Sequence, residues 1–533
     1  MKQLYTFIIF IITFSINITV AQNGRADLYI RQDTVWSDTI MLNSNVFIDS
    51  NVTLTILPGT FINITGYYAI FNKGIINATG TLYDSIEFTH LDTILHSDTT
   101  TTKGGWRGLR FLPRLANDTS VFKFCKIMNG KNVRVTSNDT TVSGDMNGYG
   151  GNLYGNGFGS IIFEHCYISN GIASQNGGGI YLINGNYVLI DSSHFKLNHS
   201  YEFGGGACIK YVDSLFVKNN LFNYNTAFWN IPGWRGGEGG AISIHNSLDY
   251  NAYAIVCNNR MFNNYTGVGV LYDAYYKADV SNNLICNNYG TGIWNAHLFN
   301  YPIYSNNTIA NNTGYGWSGI WTESDHITLI NNIIWNNRIG PYNEIGDQIY
   351  WDNNDAPVVL FSDVMLGYEG EGNIDVNPMF VNPTESFGIE YDALEADWSL
   401  RDDSPLINAG VPDTTGWNIP ATDFAGNPRV YGIRIDMGAI ENQNVLVSVN
   451  ENSVNSSNAF LFPNPGRYYV KIHLPENSNN AVLFLTDVSG RNILSAPVTN
   501  QNKIDVSNLI SGIYFYRIVV NGNIVKTGKW IKQ

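Results

Sequence analysis

The length, composition and charge of the chain exclude several classes of protein. The chain has 533 residues, of which 44% are hydrophobic and only 14% are charged, and its formal net charge is −14. This length allows more than one domain and a large core, and the composition is not that of a disordered chain. The negative charge argues against binding to polyanions, so we expect no nucleic-acid partner.

The N-terminal segment has the pattern of a secretory signal peptide. Lys2 precedes an apolar run from Leu4 to Val20, and small residues up to Ala21 offer a cleavage site before Gln22. We therefore predict a signal peptide over residues 1–21, with a retained membrane anchor as the alternative. No other apolar run is long enough to span a bilayer, so we expect no membrane span in the mature protein.

A repeat with a period of 24 or 25 residues organises the middle of the chain. Seven-residue blocks with paired asparagines at both ends recur there: NNRMFNN, NNLICNN, NNTIANN and NNIIWNN. Their last residues are Asn264, Asn288, Asn312 and Asn337. A fixed period of this size indicates a solenoid, and a short apolar segment between turns favours a β-strand. We expect coils about 4.8 Å apart, with the repeated Asn side chains stacked and hydrogen-bonded along the axis.

Looser repeats extend the solenoid toward the N-terminus. The same alignment continues backwards through Asn225, Asn198, Asn170 and Asn129. The Asn ladder and the Gly-Gly-x-Ile strand starts resemble the right-handed parallel β-helix of the pectin-lyase-like group. This resemblance implies one such β-helix over residues 33–364. Because a solenoid must cover its open end, we assign residues 22–60 to an N-terminal cap. It names no reaction, because the scaffold carries lyases, hydrolases and adhesins.

Two long loops interrupt the period. Residues 131–160 are rich in Gly, Asn and Asp but lack the spacing of a calcium-binding repeat. The segment Thr226–Gly240 carries Trp229, Trp234 and Arg235 among glycines, together with Glu238. Because long loops on a rigid scaffold often carry function, the two Trp residues and Arg235 are candidate ligand-binding residues.

The sequence does not decide whether any of the five cysteines form a disulfide. Cys125 and Cys166 occupy the same repeat position, so they could form a disulfide between neighbouring coils or remain buried thiols. No Cys-x-x-Cys pair or His–Cys cluster predicts zinc. We expect no metal and no other cofactor, and no motif supports calcium.

Alternation along the strand before each Asn block predicts two columns of outward side chains. The first column reads Tyr181, Cys208, Ser243, Gly269, Trp294, Trp321 and Tyr350. The second column reads Ile183, Lys210, His245, Leu271, Ala296, Glu323 and Asp352. The inward pairs between them include Ile242 with Ile244 and Val268 with Val270. Trp294, Trp321 and Tyr350 would form a row that binds the apolar faces of sugar rings, unless the rings only pack on one another.

Carboxylates beside this row are the candidate catalytic residues. Two carboxylates about 5 Å apart suit a retaining glycosidase, and Glu323 and Asp352 fall on neighbouring coils. Asp325 and His326 lie next to Glu323 in the chain. The alternative is a set of solvated turn residues, and the catalytic signatures of the lyases and polygalacturonases of this fold are missing from the solenoid.

The repeat stops after Val364. The segments NPMFV, SPLINAG, DFAGNPR and DMGAIE, within residues 377–441, resemble the end piece of a bacterial surface β-helix family of the choice-of-anchor type. This implies a capping element, in which Arg429, Asp436 and Glu441 make structural ion pairs, and it completes a domain over residues 22–441. Residues 442–459 are rich in Asn, Ser and Val and are predicted to be a linker.

The last segment, residues 460–533, carries a second strand pattern. Alternating apolar residues and Gly or Asn turns predict a small β-sandwich. Its Pro-Asn-Pro opening, Asp-x-x-Gly-Arg turn, Gly-Ile-Tyr strand and Lys-rich last strand resemble the C-terminal sorting domain of the type IX secretion system. The resemblance implies that the secretion machinery is a partner. It also implies export through the periplasm to the medium or the outer cell surface.

The sequence therefore predicts an all-β chain, a right-handed parallel β-helix followed by a small C-terminal β-sandwich. Two functions remain open. The first is a non-catalytic surface protein that binds a polysaccharide or acts as an adhesin. The second is a polysaccharide lyase or glycoside hydrolase that acts on the β-helix face.

Overall fold

In the described residues of the first part of the chain, twelve stacked coils each present strand segments on three faces. The computed structural model describes residues 26–114, 118–134, 147–231, 234–246, 251–275, 277–296, 302–314, 319–324, 326–340, 344–352, 356–417, 419–444, 459–474, 480–488, 490–521 and 523–533. Each strand pairs in parallel with the equivalent strand of the coils before and after it. The coils thus have three faces, named A, B and C in chain order.

The strands of the three faces are as follows. Three long strands run through both face A and face B: Leu153–Glu164, Ile180–Asp191 and Ala207–Lys218. The other strands of face A are Leu28–Ile30, Val46–Ile48, Ala69–Asn72, Gly108–Phe111, Ile242–Asn246, Tyr265–Tyr275, Tyr289–Asn295, Ile320–Thr322 and Ile349–Trp351. The other strands of face B are Thr34–Trp36, Thr53–Ile56, Ile75–Thr79, Thr119–Lys123, Tyr253–Cys257, Ala278–Ser281, Ile303–Ser305, Thr328–Ile330 and Val358–Leu360. Face C, a 12-stranded sheet, comprises Thr39–Leu42, Phe61–Ile64, Ile86–Thr89, Cys125–Met128, Tyr167–Ser169, His194–Lys196, Leu221–Asn223, Arg260–Phe262, Leu284–Cys286, Thr308–Ala310, Ile333–Trp335 and Asp363–Val364.

Shorter strands lie at the turns and in the loops. Those next to face C are Lys131–Asn132, Ile172–Ala173, His199–Ser200, Thr226–Ala227, Thr313–Gly314, Arg338–Ile339 and Glu344–Ile345. Two antiparallel pairs form small sheets separate from those of the coils: Trp229–Ile231 with Trp234–Gly236, and Phe380–Asn382 with Asp397–Leu400. Among the described residues there is no helix long and apolar enough to cross a membrane.

Alternate residues of each strand point into the coil and build one continuous core. On face A, Ile242, Leu271, Ile293 and Ile320 lie in one inward column and are fully buried. Burying a side chain of this size contributes about 1.5–3 kcal/mol, and the column repeats on the other faces. The parallel β-helix predicted from the period is therefore confirmed.

The predicted Asn ladder is also confirmed over the regular blocks. The side-chain Nδ2 donates to Oδ1 of the next Asn, at 3.0 Å from Asn264 to Asn288, 2.9 Å from Asn288 to Asn312 and 3.0 Å from Asn312 to Asn337. Asn198 and Asn225 belong to the same ladder. A second ladder, at the turn between faces B and C, consists of Asn220, Asn259, Asn283, Asn307 and Asn332.

The predicted extension of the first ladder to Asn170 and Asn129 is wrong by one residue. Ser169 pairs with Lys196, so Asn170 lies level with Leu197 and not with Asn198. Asn170 and Asn129 both have a positive φ, as Leu197 does. Asn tolerates this left-handed conformation better than most residues. Two neighbouring turn positions therefore both favour Asn, and the letters alone do not tell them apart.

The predicted register of one face A strand is also wrong. Leu271 pairs with Ile242 and with Ile293, so it points inward. The first outward column therefore contains Tyr272 where Gly269 was predicted, and the second contains Ala274 where Leu271 was predicted. The inward pair at this coil is Leu271 with Asp273, not Val268 with Val270. The strand also shifts its register against the next coil between Tyr265 and Gly269, where four residues stand opposite two.

The end piece, residues 377–441, lies along face C of the last coils rather than only at their end. Asn263 Nδ2 donates to the carbonyls of Ile389 and Tyr391, and Asn287 Nδ2 donates to those of Ser386 and Gly388. These are the first asparagines of the pairs, which all have positive φ. Trp398 and Ala393 pack on outward residues of face C. The regular Asn pairs thus belong to the coils that the end piece covers.

Buried charged side chains stabilise the end piece, and one of the predicted ion pairs is present. Arg429 and Glu441 form an ion pair of 3.7 Å between two buried side chains. The Asp436 carboxylate instead accepts the backbone N–H groups of Asn408 and Asn442, at 2.6 and 2.7 Å. The Arg429 guanidinium also donates to three backbone carbonyls of the same segment.

The chain forms two compact units, Met1–Asn444 and Val445–Gln533. The second unit contains only antiparallel sheets, as predicted for a β-sandwich. One sheet comprises Phe460–Phe462, Tyr469–His473 and Lys503–Asp505, and the other comprises Ala481–Thr486, Asn492–Val498, Gly512–Val520 and Asn523–Lys532. The finer division at residues 441/442 and 459/460 stays a prediction. The predicted signal peptide and most of the predicted linker lie outside the described residues.

Candidate functional site

One column of outward side chains runs along the whole of face A. It consists, coil by coil, of Tyr29, Phe47, Phe71, Arg110, Tyr154, Tyr181, Cys208, Ser243, Tyr272, Trp294, Trp321 and Tyr350. Sequence analysis found the part from Tyr181 onward except for Tyr272, in whose place it put Gly269. It missed the earlier part because long insertions hide the period there.

The middle of this column is covered by loops. Tyr154 and Tyr181 are buried, and the ring of Tyr149 lies 4.9 Å from that of Tyr181. Arg110, also buried, donates through Nη1 to the carbonyl of Gly150 at 2.6 Å. A ligand on face A can therefore reach the ends of the column but not its centre.

The C-terminal end of the column presents four partly exposed aromatic residues, which we call the aromatic strip: Tyr272, Trp294, Trp321 and Tyr350. The indoles of Trp294 and Trp321 are stacked, with centroids 4.4 Å apart and planes 6° apart. Tyr272 meets Trp294 edge to face at 4.9 Å, and Tyr350 lies 6.5 Å from Trp321. The indoles cover one face of each other, so the pair offers mainly ring edges to a ligand.

Each indole N–H is bound to a carboxylate of the next coil. Trp294 Nε1 donates to Glu323 Oε1 at 3.2 Å, and Trp321 Nε1 donates to Asp352 Oδ2 at 2.8 Å. Burial raises the pKa of Glu323; the bond from Trp294 opposes this and the charge of Asp352 adds to it. The structure therefore brings these two predicted carboxylates to the strip and fixes both to the indoles.

A third carboxylate reaches the strip from the loop before face A. Burial raises the pKa of Glu238 to about 7; Lys210 lowers it, and the charges of Glu323 and Glu202 raise it further. Burial, followed by the charges of Glu238 and Glu323, also raises the pKa of the Tyr272 phenol. Sequence analysis placed Glu238 in a candidate loop, but the sequence of the loop did not predict which charged residues lie near Glu238.

A histidine lies beside the strip in its neutral form. Burial holds the pKa of His245 well below its ordinary value, and the charge of Lys210 acts in the same direction. His245 Nε2 is 2.6 Å from Ser243 Oγ, and the ring lies 4.8 Å from that of Tyr272. Phe203 packs against both rings, at 5.0 and 5.8 Å, and closes this end of the strip.

The remaining predicted residues are not brought to the strip by any described contact. Asp325 lies outside the described residues, and so do the side chains of Trp229, Trp234 and Arg235, although their backbones form a hairpin. His326 is exposed and its backbone N–H donates to Ser324 Oγ at 3.4 Å. The cysteines are free thiols, and four of the five are buried. In the described part of the chain, no group of three or more His, Cys, Asp and Glu residues could hold a metal ion.

Comparison with known proteins identifies the C-terminal unit. Among solved structures, the crystal structure of pectate lyase Pel9A is similar, at 15% identity and a TM-score of 0.34, over 73% of this chain and 88% of that chain. No curated protein matches the chain. Residues 460–533 match the family described as the secretion system C-terminal sorting domain. The predicted sorting domain is thus confirmed: the C-terminal unit is a type IX sorting domain, and the protein is exported to the cell surface or the extracellular space.

Proposed function

We propose that this exported protein binds a polysaccharide along the aromatic strip. The observation that carries the proposal is the pair of partly exposed indoles whose N–H groups are held by Glu323 and Asp352. Sugars combine apolar C–H groups with hydroxyl groups, and a binding site for them needs apolar surface beside fixed polar groups. Each carboxylate accepts one indole N–H and retains capacity for a hydroxyl donor.

The dimensions of the strip favour a chain over a single sugar. Tyr272 and Tyr350 are three coils apart, which corresponds to about 14 Å along the axis. Stacked indoles lose little side-chain freedom on binding, because their rotamers are already fixed by one another and by the carboxylates. Such a surface supports binding of an extended ligand without any conformational change of the protein.

The double substitution Trp294→Ala with Trp321→Ala tests this proposal. We expect loss of at least tenfold in affinity for the bound polysaccharide, because both apolar edges disappear and both carboxylates lose their partners. Retention of the purified protein on a polysaccharide panel is the measurement, with circular dichroism to show that the coils remain folded.

Tyr29→Ala is the matched control for this experiment. Tyr29 is an exposed aromatic residue of the same column, eight coils before Tyr272, and its removal should leave retention unchanged. A folded double variant that is retained as well as the native protein would show that the indoles serve only to support the sheet.

A second candidate function is glycoside hydrolysis, with a lyase reaction as its variant. The observation that favours it is Glu238, whose pKa of about 7 leaves much of it protonated at neutral pH, within electrostatic range of the Glu323 carboxylate. A protonated acid beside a second carboxylate is the pairing that glycosidases use. A hydrolase would release shorter chains from the bound polysaccharide, and Glu238→Gln would abolish that release while retention persists. Release that continues in this variant would remove Glu238 from catalysis.

We also propose a route of export. Residues 1–21 direct the chain to the periplasm as a signal peptide that is then cleaved, and the mature protein has no membrane span. The linker 442–459 separates the β-helix domain, residues 22–441, from the sorting domain. Deleting residues 460–533 should leave a folded β-helix in the periplasm, because the sorting domain has its own core. Fractionation of the expressing cells measures this. Arrival of the truncated chain at the cell surface would contradict the assignment.

A further inference from the structure

The charged groups around the aromatic strip are almost all negative. Glu323 and Asp352 bind the indoles, and Glu238 lies close enough to Glu323 for the two charges to affect each other. Glu202 belongs to the coil before Glu238, and its carbonyl accepts the Glu238 N–H at 2.8 Å. Among the described residues, Lys210 is the positive group close to Glu238, and its Nζ lies 4.3 Å from the centre of the Phe203 ring.

This arrangement bears on the charge of the ligand. Like charges brought together at an interface weaken binding, and the effect is larger where water is excluded. A glycan chain with a carboxylate or sulfate on each sugar would set two or three anions against Glu323, Asp352 and Glu202, and against Glu238 where it is ionised. Among the described residues, the one lysine here is already placed on an aromatic ring and does not offset them.

The same carboxylates are well suited to uncharged hydroxyl groups or to ammonium groups. An ionised carboxylate only accepts hydrogen bonds, and its two oxygens offer about four acceptor positions. Glu323 and Asp352 each accept an indole N–H in this way, and Asp352 also binds the Tyr350 hydroxyl. Acceptors of this kind favour ligand groups that donate hydrogen bonds, which sugar hydroxyls and amino groups supply and which sugar carboxylates do not.

We infer that the strip selects glycan chains that carry no anionic groups, that is, neutral or amino-sugar polymers, and that it rejects uronate and sulfated polymers. This inference rests on the proposed glycan binding and names its ligand class. The preference for ligands without anionic groups does not follow from the fold, because face A of a parallel β-helix can carry either positive or negative side chains.

The test uses ligands that differ only in charge. The full mature chain is titrated with β-1,4-linked hexamers of glucose, glucosamine and glucuronic acid, and with galacturonan before and after complete methyl esterification. Each titration is run with EDTA and again with calcium. We expect the anionic member of each set to bind at least tenfold more weakly than its uncharged counterpart under both conditions.

A charge variant makes the test specific to this surface. Glu202→Gln removes one negative charge without touching an indole, so the ratio of the anionic to the neutral dissociation constant should fall severalfold. Glu87→Gln is the control, since Glu87 lies on face C beside Lys126 and should leave the ratio unchanged.

Two results would contradict the proposals, and they differ. Equal or tighter binding of an anionic member, with or without calcium, overturns the preference for ligands without anionic groups and leaves glycan binding standing. Absence of binding for every member of the sets and of a wider polysaccharide panel overturns glycan binding itself.

Discussion

Replacing Asn312 by alanine is expected to lower the free energy of unfolding by about 3–5 kcal/mol. The Asn312 amide makes four hydrogen bonds inside the coil turn: it donates to Asn337 and to the Ile285 carbonyl, and it accepts from the backbone and the side chain of Asn288. Its loss leaves at least the Asn288 N–H and the Ile285 carbonyl buried without these partners, and each such group costs about 1–3 kcal/mol. Urea unfolding followed by tryptophan fluorescence measures the change.

The matched control for this variant is Asn77→Ala. Asn77 is an exposed residue on a face B strand, so its removal should change the free energy of unfolding by less than about 0.5 kcal/mol. If Asn312→Ala unfolds at the same urea concentration as the native protein, the ladder contributes no net stability.

Replacing Asp363 by asparagine is expected to stabilise the protein at pH 8 and to have little effect at pH 4. Asp363 is fully buried; its Oδ1 accepts the Val376 N–H at 3.1 Å, and Oδ2 has no hydrogen-bond partner among the described residues. Burial raises its pKa to about 8, the Val376 bond opposes this, and the charge of Asp375 adds to it. The folded protein thus keeps a proton on this group over a range in which the unfolded chain, with a pKa of about 3.9, has lost it.

The sign of the pH dependence follows from this difference. Below pH 4 the Asp363 carboxyl is protonated in both the folded and the unfolded chain, so it does not change the free energy of unfolding. As the pH rises from about 4 to about 8 only the folded chain keeps this proton, and the free energy of unfolding falls. The gain in the Asn variant at pH 8 should be at most on the order of 5 kcal/mol, since each unit of pKa shift corresponds to about 1.4 kcal/mol. The exposed Asp84→Asn, in an early coil, serves as control. Melting temperatures that fall equally with pH in the native protein and in Asp363→Asn would contradict the buried acid.

Other buried carboxyl groups act in the same direction. Burial raises the pKa of Asp273 and of Asp436 to about 6, and that of Glu441 to about 7. Asp273 lies inside the coil, where Tyr304 donates to its Oδ2 at 2.6 Å. These groups therefore add to the loss of stability that Asp363 causes between pH 5 and pH 8, whereas His245 and His199, whose pKa values are lowered by burial, act in the opposite direction.

The repeat was predictable because it depends on local turn chemistry. Asn at a buried turn position satisfies two neighbouring coils at once, so the period is visible in the letters. The register of the strand Tyr265–Tyr275 was not predictable in this way. A shift within the strand moves Tyr272 into the outward column without changing the spacing of the Asn blocks.

The composition of the candidate site depends on contacts between distant parts of the chain. The aromatic row at Trp294, Trp321 and Tyr350 was predicted from alternation along strands. That the indole N–H groups bind Glu323 and Asp352, and that the indoles cover each other's faces, depends on rotamers. The approach of Glu238 depends on the path of a loop, which no local pattern encodes.

The end piece imposes a constraint on how this protein can change in length. The backbone of the end piece binds one Asn amide from each of three successive coils, those of Asn263, Asn287 and Asn311. In an earlier, uncovered coil, Leu197 takes the equivalent position and is half exposed. A duplication that added one coil between Asn263 and Asn311 would leave a row of amides without partners and the end piece about 4.8 Å too short. The number of coils under the end piece and the length of the end piece must therefore evolve together. The number of coils before Asn263 is not constrained in this way.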